Sequence, residues 1–107
     1  MSIFLVETYV VKAEKQAEYT PLLNEFLKYK KDHAPLFSGL KSWKLYRQDF
    51  GAIAGMYIEV WEYGSLADMD KINKRIFQDE GMKKISVEFH QLVEPATFSV
   101  NIWSPVA

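Results

Sequence analysis

Ile3-Phe4-Leu5-Val6-Glu7-Thr8-Tyr9-Val10-Val11 is the stretch on which the fold turns. Branched and aromatic residues dominate it, which predicts a strand. Alternation puts Phe4, Val6 and Val10 on one face and Ile3, Leu5, Tyr9 and Val11 on the other. Both faces are apolar, so the strand is expected to be central and covered on both sides. The run is too short to span a membrane, and no basic leader precedes it as in a signal peptide. The expected compartment is cytoplasmic.

Outward from this strand, residues 12–34 carry Tyr19, Leu22, Leu23, Phe26, Leu27 and Lys30 at helical spacing. Lys30 apart, these make one apolar stripe. Pro21 either starts the helix after a Thr20 cap or sits inside a longer helix with a local irregularity; the longer helix is favoured. Lys28, Lys30 and Lys31 fall in its last turns, where cations oppose the helix dipole. Residues 40–49 and 53–62 alternate as two strands, joined by Phe50, Gly51 and Ala52 at hairpin length. Ser65 and Asp68 resemble a capping box at the head of a helix over 65–77. A further short helix is predicted over 81–92, with Met82, Ile85, Phe89 and Leu92 on one face, and Pro95 stops it. Residues 96–103 alternate as the last strand.

The order is therefore βαββ(αα)β in one domain spanning residues 1–107. Right-handed crossovers turn it into a four-stranded antiparallel sheet in the order 4-1-3-2, an α+β fold with helices on one face. The other face is apolar too and needs a cover. The simplest cover is a second copy, giving a homodimer through the sheet faces. Composition agrees: aromatic residues make up 15% of the chain, more than so small an interior readily absorbs. A formal net charge of −1 argues against a nucleic-acid partner. The absence of Cys excludes disulfides and thiol chemistry.

Glu59-Val60-Trp61-Glu62-Tyr63, then Ser65-Leu66-Ala67, Arg75, Asp79 and Gln91-Leu92-Val93 through Ile102 to Pro105, resembles the NIPSNAP-type branch of the dimeric α/β-barrel superfamily. The similarity is clearest over residues 53–105. It implies a ferredoxin-like monomer, with an extra short helix before the last strand, and a dimeric α/β barrel made by two back-to-back sheets. That superfamily also holds antibiotic-biosynthesis monooxygenases and haem-degrading enzymes. Two positions depart from the branch: Glu59 stands where it often has His, and Met82 where it often has Trp. The haem-degrading members resemble this chain in layout but carry Asn on the first strand. Glu7 holds that position here, so no haem oxygenase is expected.

Glu7 and Glu59 are the leading candidates for chemistry. Each lies mid-strand in strands expected to be neighbours, sharing a face with Tyr9 or with Tyr57 and Trp61. A carboxyl in an aromatic pocket has a raised pKa and serves as a general acid or base. The bland alternative is an ion pair with Lys44 or Arg47. His90 is a further catalytic candidate on the last helix, whereas His33 suits a helix C-terminus. Tyr9, Tyr57, Trp61 and Trp43 are the expected pocket walls, although tryptophans more often serve as packing anchors. Two distant His make no metal site, and no cofactor is assigned.

Three function classes remain. The first is a homodimeric pocket protein acting on a small apolar or aromatic molecule, in the manner of a cofactor-independent monooxygenase or an isomerase. The second is a non-enzymatic module for self-association or partner binding. The third is an RNA-binding domain with the same element order, disfavoured because Gly55 and Ile53 stand where its strand motif wants an aromatic and a cation.

Overall fold

β1 (Ile3–Tyr9) lies in the middle of the sheet, paired on one side with β3 (Tyr57–Tyr63) and on the other with β4 (Ser99–Trp103). β2 (Ser42–Arg47) closes the far edge beside β3, so the antiparallel order is β2-β3-β1-β4. This is the order expected from the crossovers. The computed structural model describes residues 1–107. Between the strands run α1 (Gln16–Asp32), α2 (Leu66–Gln78) and α3 (Glu80–Leu92), with short 3-10 turns at Ala13–Lys15, Ala34–Phe37 and Pro95–Thr97.

All three helices pack on the sheet face that carries Leu5, Tyr9, Trp61 and Tyr63. Tyr19, Leu22 and Phe26 of α1, Ile72 and Ile76 of α2, and Met82, Ile85 and Leu92 of α3 complete one apolar core with them. Each such side chain contributes roughly 1.5–3 kcal/mol when fully buried. Leu27 leaves the expected α1 stripe and is 41% exposed, because it falls one position round the helix from Phe26. The caps are explicit in the side chains. Ser65 accepts from the Asp68 backbone N–H at 3.1 Å, and Asp79 accepts from that of Met82 at 3.1 Å. Pro21 lies inside α1, in its exposed second turn, so Thr20 is no cap.

Several boundaries differ from the sequence reading. β1 ends at Tyr9, and Val11 makes only an isolated bridge to Val93. The helix expected from residue 12 starts as a 3-10 turn and becomes α-helical at Gln16. The tight hairpin at 50–52 is a longer loop, since β2 stops at Arg47 and β3 starts at Tyr57. Gly51 and Gly55 both take positive φ there (139° and 84°), which bends the chain twice and throws Phe50 into solvent. The last strand starts at Ser99, because Pro95 opens a 3-10 turn.

The opposite sheet face has no helix on it. By register it carries Phe4, Val6 and Thr8, flanked by Ile58, Val60 and Tyr46 on one side and Asn101 and Trp103 on the other. Tyr46 and Trp103 are more than half exposed.

Candidate functional site

Register sets the site. Glu7 and Glu59 are directly opposite each other in the β1–β3 pair, on the face turned to the helices. Tyr9 follows Glu7 along β1, Trp61 follows Glu59 along β3, and Trp43 sits opposite Trp61 on β2. α1 and α3 do not close fully over these residues. A cleft of about 140 Å³ remains, roofed by Tyr19, Leu22 and Phe26 from α1 and by Met82, Phe89 and His90 from α3, with Phe98 also in its wall. A cavity of about 150 Å³ is enough for benzene, so the space suits a single ring.

Glu7, Glu59, Tyr9, Trp43, Trp61 and His90 all line this cleft. Tyr57 does not; its ring lies behind the wall, stacked on Tyr19 at 4.3 Å and on Tyr9 at 5.8 Å. His90 sits at the rim, with its ring edge-on to Phe98 and Phe89. His33 is remote from the cleft, stacked on Tyr29 at the end of α1.

Two carboxyls side by side, with little water, resist ionisation. Burial raises the Glu7 pKa from its usual 4.5 to about 7, and the charge of Glu59 adds to the rise. Burial also raises Glu59, against the opposing effect of N–H and O–H donors around it. Trp43 Nε1 donates to Glu59 Oε1 at 3.1 Å. The Trp61 indole N–H lies near enough to favour the Glu59 carboxylate, yet it is buried and meets no acceptor at bonding geometry. The hydroxyls of Tyr9 and Tyr19 share a hydrogen bond of 2.6 Å, and burial pushes the Tyr9 phenol far up.

The expected ion-pair alternative does not hold. Arg47 is taken by Asp49 at 2.8 Å, and Lys44 points to the open sheet face. Neither cleft carboxyl has a cationic partner among the ion pairs of the molecule, which all lie on the surface. No three His, Asp or Glu side chains form a metal-binding group. The sequence reading missed Tyr19 and Phe89 as cleft residues, having assigned both to apolar stripes. A tyrosine inside such a stripe is the available signal, because a buried hydroxyl needs a partner.

No protein-family model matches this sequence, and neither does any curated protein. Solved structures do match. A NIPSNAP family protein from Agrobacterium tumefaciens str. C58 is 22% identical, with a TM-score of 0.76 over 98% of this chain and 86% of that one. A second NIPSNAP family protein of unknown function from the same organism is 18% identical, covering 97% and 87%, with a TM-score of 0.73. A putative antibiotic biosynthesis monooxygenase from Caulobacter crescentus CB15 is 16% identical, covering 99% and 91%, with a TM-score of 0.71. With its helices on one face of a β2-β3-β1-β4 sheet, the chain has the ferredoxin-like α+β fold that these NIPSNAP family and monooxygenase-like proteins share.

Proposed function

We propose that this chain is a homodimeric pocket protein that holds a small apolar or aromatic molecule and acts on it by general acid–base chemistry, as an isomerase or a cofactor-independent monooxygenase would. The observation that carries the proposal is the Glu7–Glu59 pair, facing across β1 and β3 in an aromatic cleft without a cation. A carboxyl poised near neutrality is a good proton-transfer group at physiological pH. In its ionised form one member removes a proton from the bound molecule, while its neutral neighbour holds a proton to return. Return at a second atom of the same molecule completes an isomerisation. Transfer of electrons from the resulting anion to dioxygen begins an oxygenation. The likeness to monooxygenase-type proteins supports the second outcome at the level of fold.

Two observations support the remaining parts of the proposal. A purely self-associating module would have a filled interior, so the cleft favours the pocket reading over it. The uncovered face with Ile58, Tyr46 and Trp103 favours pairing of two sheets.

Deuterium exchange at the α-carbon of acetophenone in heavy water, followed by NMR, tests the acid–base function. The protein is expected to accelerate exchange, and Glu7→Gln and Glu59→Gln are each expected to abolish most of it. Exchange no faster than in buffer, or equally fast in both variants, removes the pair from that role.

A further inference from the structure

We propose that the cleft recognises a molecule joining a single apolar ring to an ammonium group, with the ammonium set against Glu7 and Glu59. This rests on the pocket of the reading above, not on its acid–base chemistry, and names the ligand class for the same site.

The cleft lacks one thing, a positive charge. Two carboxyls face each other across β1 and β3, and no Lys or Arg lines the space. The titratable groups around Glu7 are Glu59 on β3, Tyr9 on its own strand, Tyr63 on β3, Tyr19 on α1 and His90 on α3. None of the carboxyls and phenols can supply a cation, and His90 stands at the rim. Glu7 is half-buried and has neither a hydrogen-bond partner nor an ion pair to offset its partial loss of water. A bound ammonium turns the repulsion between the carboxyls into attraction to a common centre. The walls suit it as well, since the faces of Trp43, Trp61 and Tyr9 attract cations through their ring quadrupoles.

An independent feature points the same way. Trp61 is 4% exposed, lines the cleft, and leaves its indole N–H without an acceptor. A buried donor left unpaired is costly. The Glu59 carboxyl lies close enough to feel that donor and is already bonded by Trp43. An ionised Glu59 has lone pairs for both indoles, so two tryptophan donors converge on one carboxylate. That anionic state needs a counter-charge the chain does not contain. The ammonium of a ligand provides it, and the cleft volume limits the rest to about one ring.

The test compares 2-phenylethylamine with 2-phenylethanol, equal in shape but neutral, by calorimetric titration of the whole chain at neutral pH. The amine is expected to bind at least about tenfold more tightly. Its binding is expected to release protons, read as a heat that depends on the buffer's ionisation enthalpy. Glu7→Gln is expected to erase the preference while the alcohol still binds. Glu59→Gln serves as a second variant, and circular dichroism checks that each is folded. Equal binding of the two probes, or tighter binding of the alcohol, overturns the ammonium proposal and leaves the apolar pocket standing. A preference that survives in both folded variants overturns the placement at the carboxyls. Binding of neither probe overturns the proposal and the pocket reading together.

Discussion

The Tyr29 hydroxyl donates to the Asp79 carboxylate at 2.5 Å, tying α1 to the junction between α2 and α3. Because Asp79 also caps α3, one side chain serves two helices. Those bonds, led by the one from Tyr29, hold the Asp79 carboxyl below its usual range. Gly81 makes the approach possible, since a methyl group there would clash with the ring and hydroxyl of Tyr29.

Gly81→Ala is therefore expected to destabilise the fold. Overpacking costs about 1–3 kcal/mol, against a helix-propensity gain of about 1 kcal/mol. In a Tyr29→Ala background the clash is gone, and the same change is expected to become neutral or stabilising. Urea denaturation of the four proteins reads the sign reversal, and additive effects would show that the two residues do not meet.

Glu7 makes stability depend on pH. Its folded pKa of about 7 lies above the ordinary 4.5. Between those values the unfolded chain loses a proton that the folded chain keeps, so stability falls as pH rises and then levels off. The loss is roughly 3 kcal/mol. Glu7→Gln lacks this term and is expected to match the wild type below pH 4.5 and to exceed it above neutrality. Denaturation curves at the two extremes decide; a constant difference between the proteins would place Glu7 in water.

Ile58 sits on the uncovered sheet face between Thr8 and Tyr46. Ile58→Asp puts a charge at the centre of the proposed interface, where desolvation makes it costly. Light scattering is expected to give a dimer for the wild type and a monomer for the variant. A wild-type monomer at all concentrations would refute the sheet-to-sheet assembly.

Ile76 is fully buried among the helices, whereas Leu66 on the same helix is 58% exposed. Ile76→Ala is expected to cost about 2–5 kcal/mol and Leu66→Ala under about 0.5 kcal/mol. Thermal melts compare the pair directly.

Strand order was legible because both faces of β1 are apolar, which forces it to the centre, and crossover handedness then fixes its neighbours. The loop at 48–56 was not. Ile53 and Met56 have strand character, but the positive φ at Gly51 and Gly55 is a property of the folded turn. The alternation of Glu7 with Tyr9, and of Tyr57 with Glu59 and Trp61, announced carboxyls on an aromatic face. It did not say that the helices would cover that face, nor that Tyr57 would be screened from the space by Tyr9 and Tyr19. Those outcomes depend on how far α1 and α3 stand from the sheet, a sum of side-chain volumes that periodicity does not encode. The missing counter-charge was equally hidden, because Arg47 finds Asp49 only through the local geometry of the loop.

The central place of β1 also sets a timetable. On the ribosome it emerges before either strand that will flank it, and its partners at 57–63 and 99–103 arrive much later. Until then a segment apolar on both sides has no sheet to join. Such long-range closure slows folding and keeps apolar surface exposed meanwhile. The nascent chain is thus expected to engage a holding chaperone early, and to be released when residues 99–103 are free to dock along the second edge of β1.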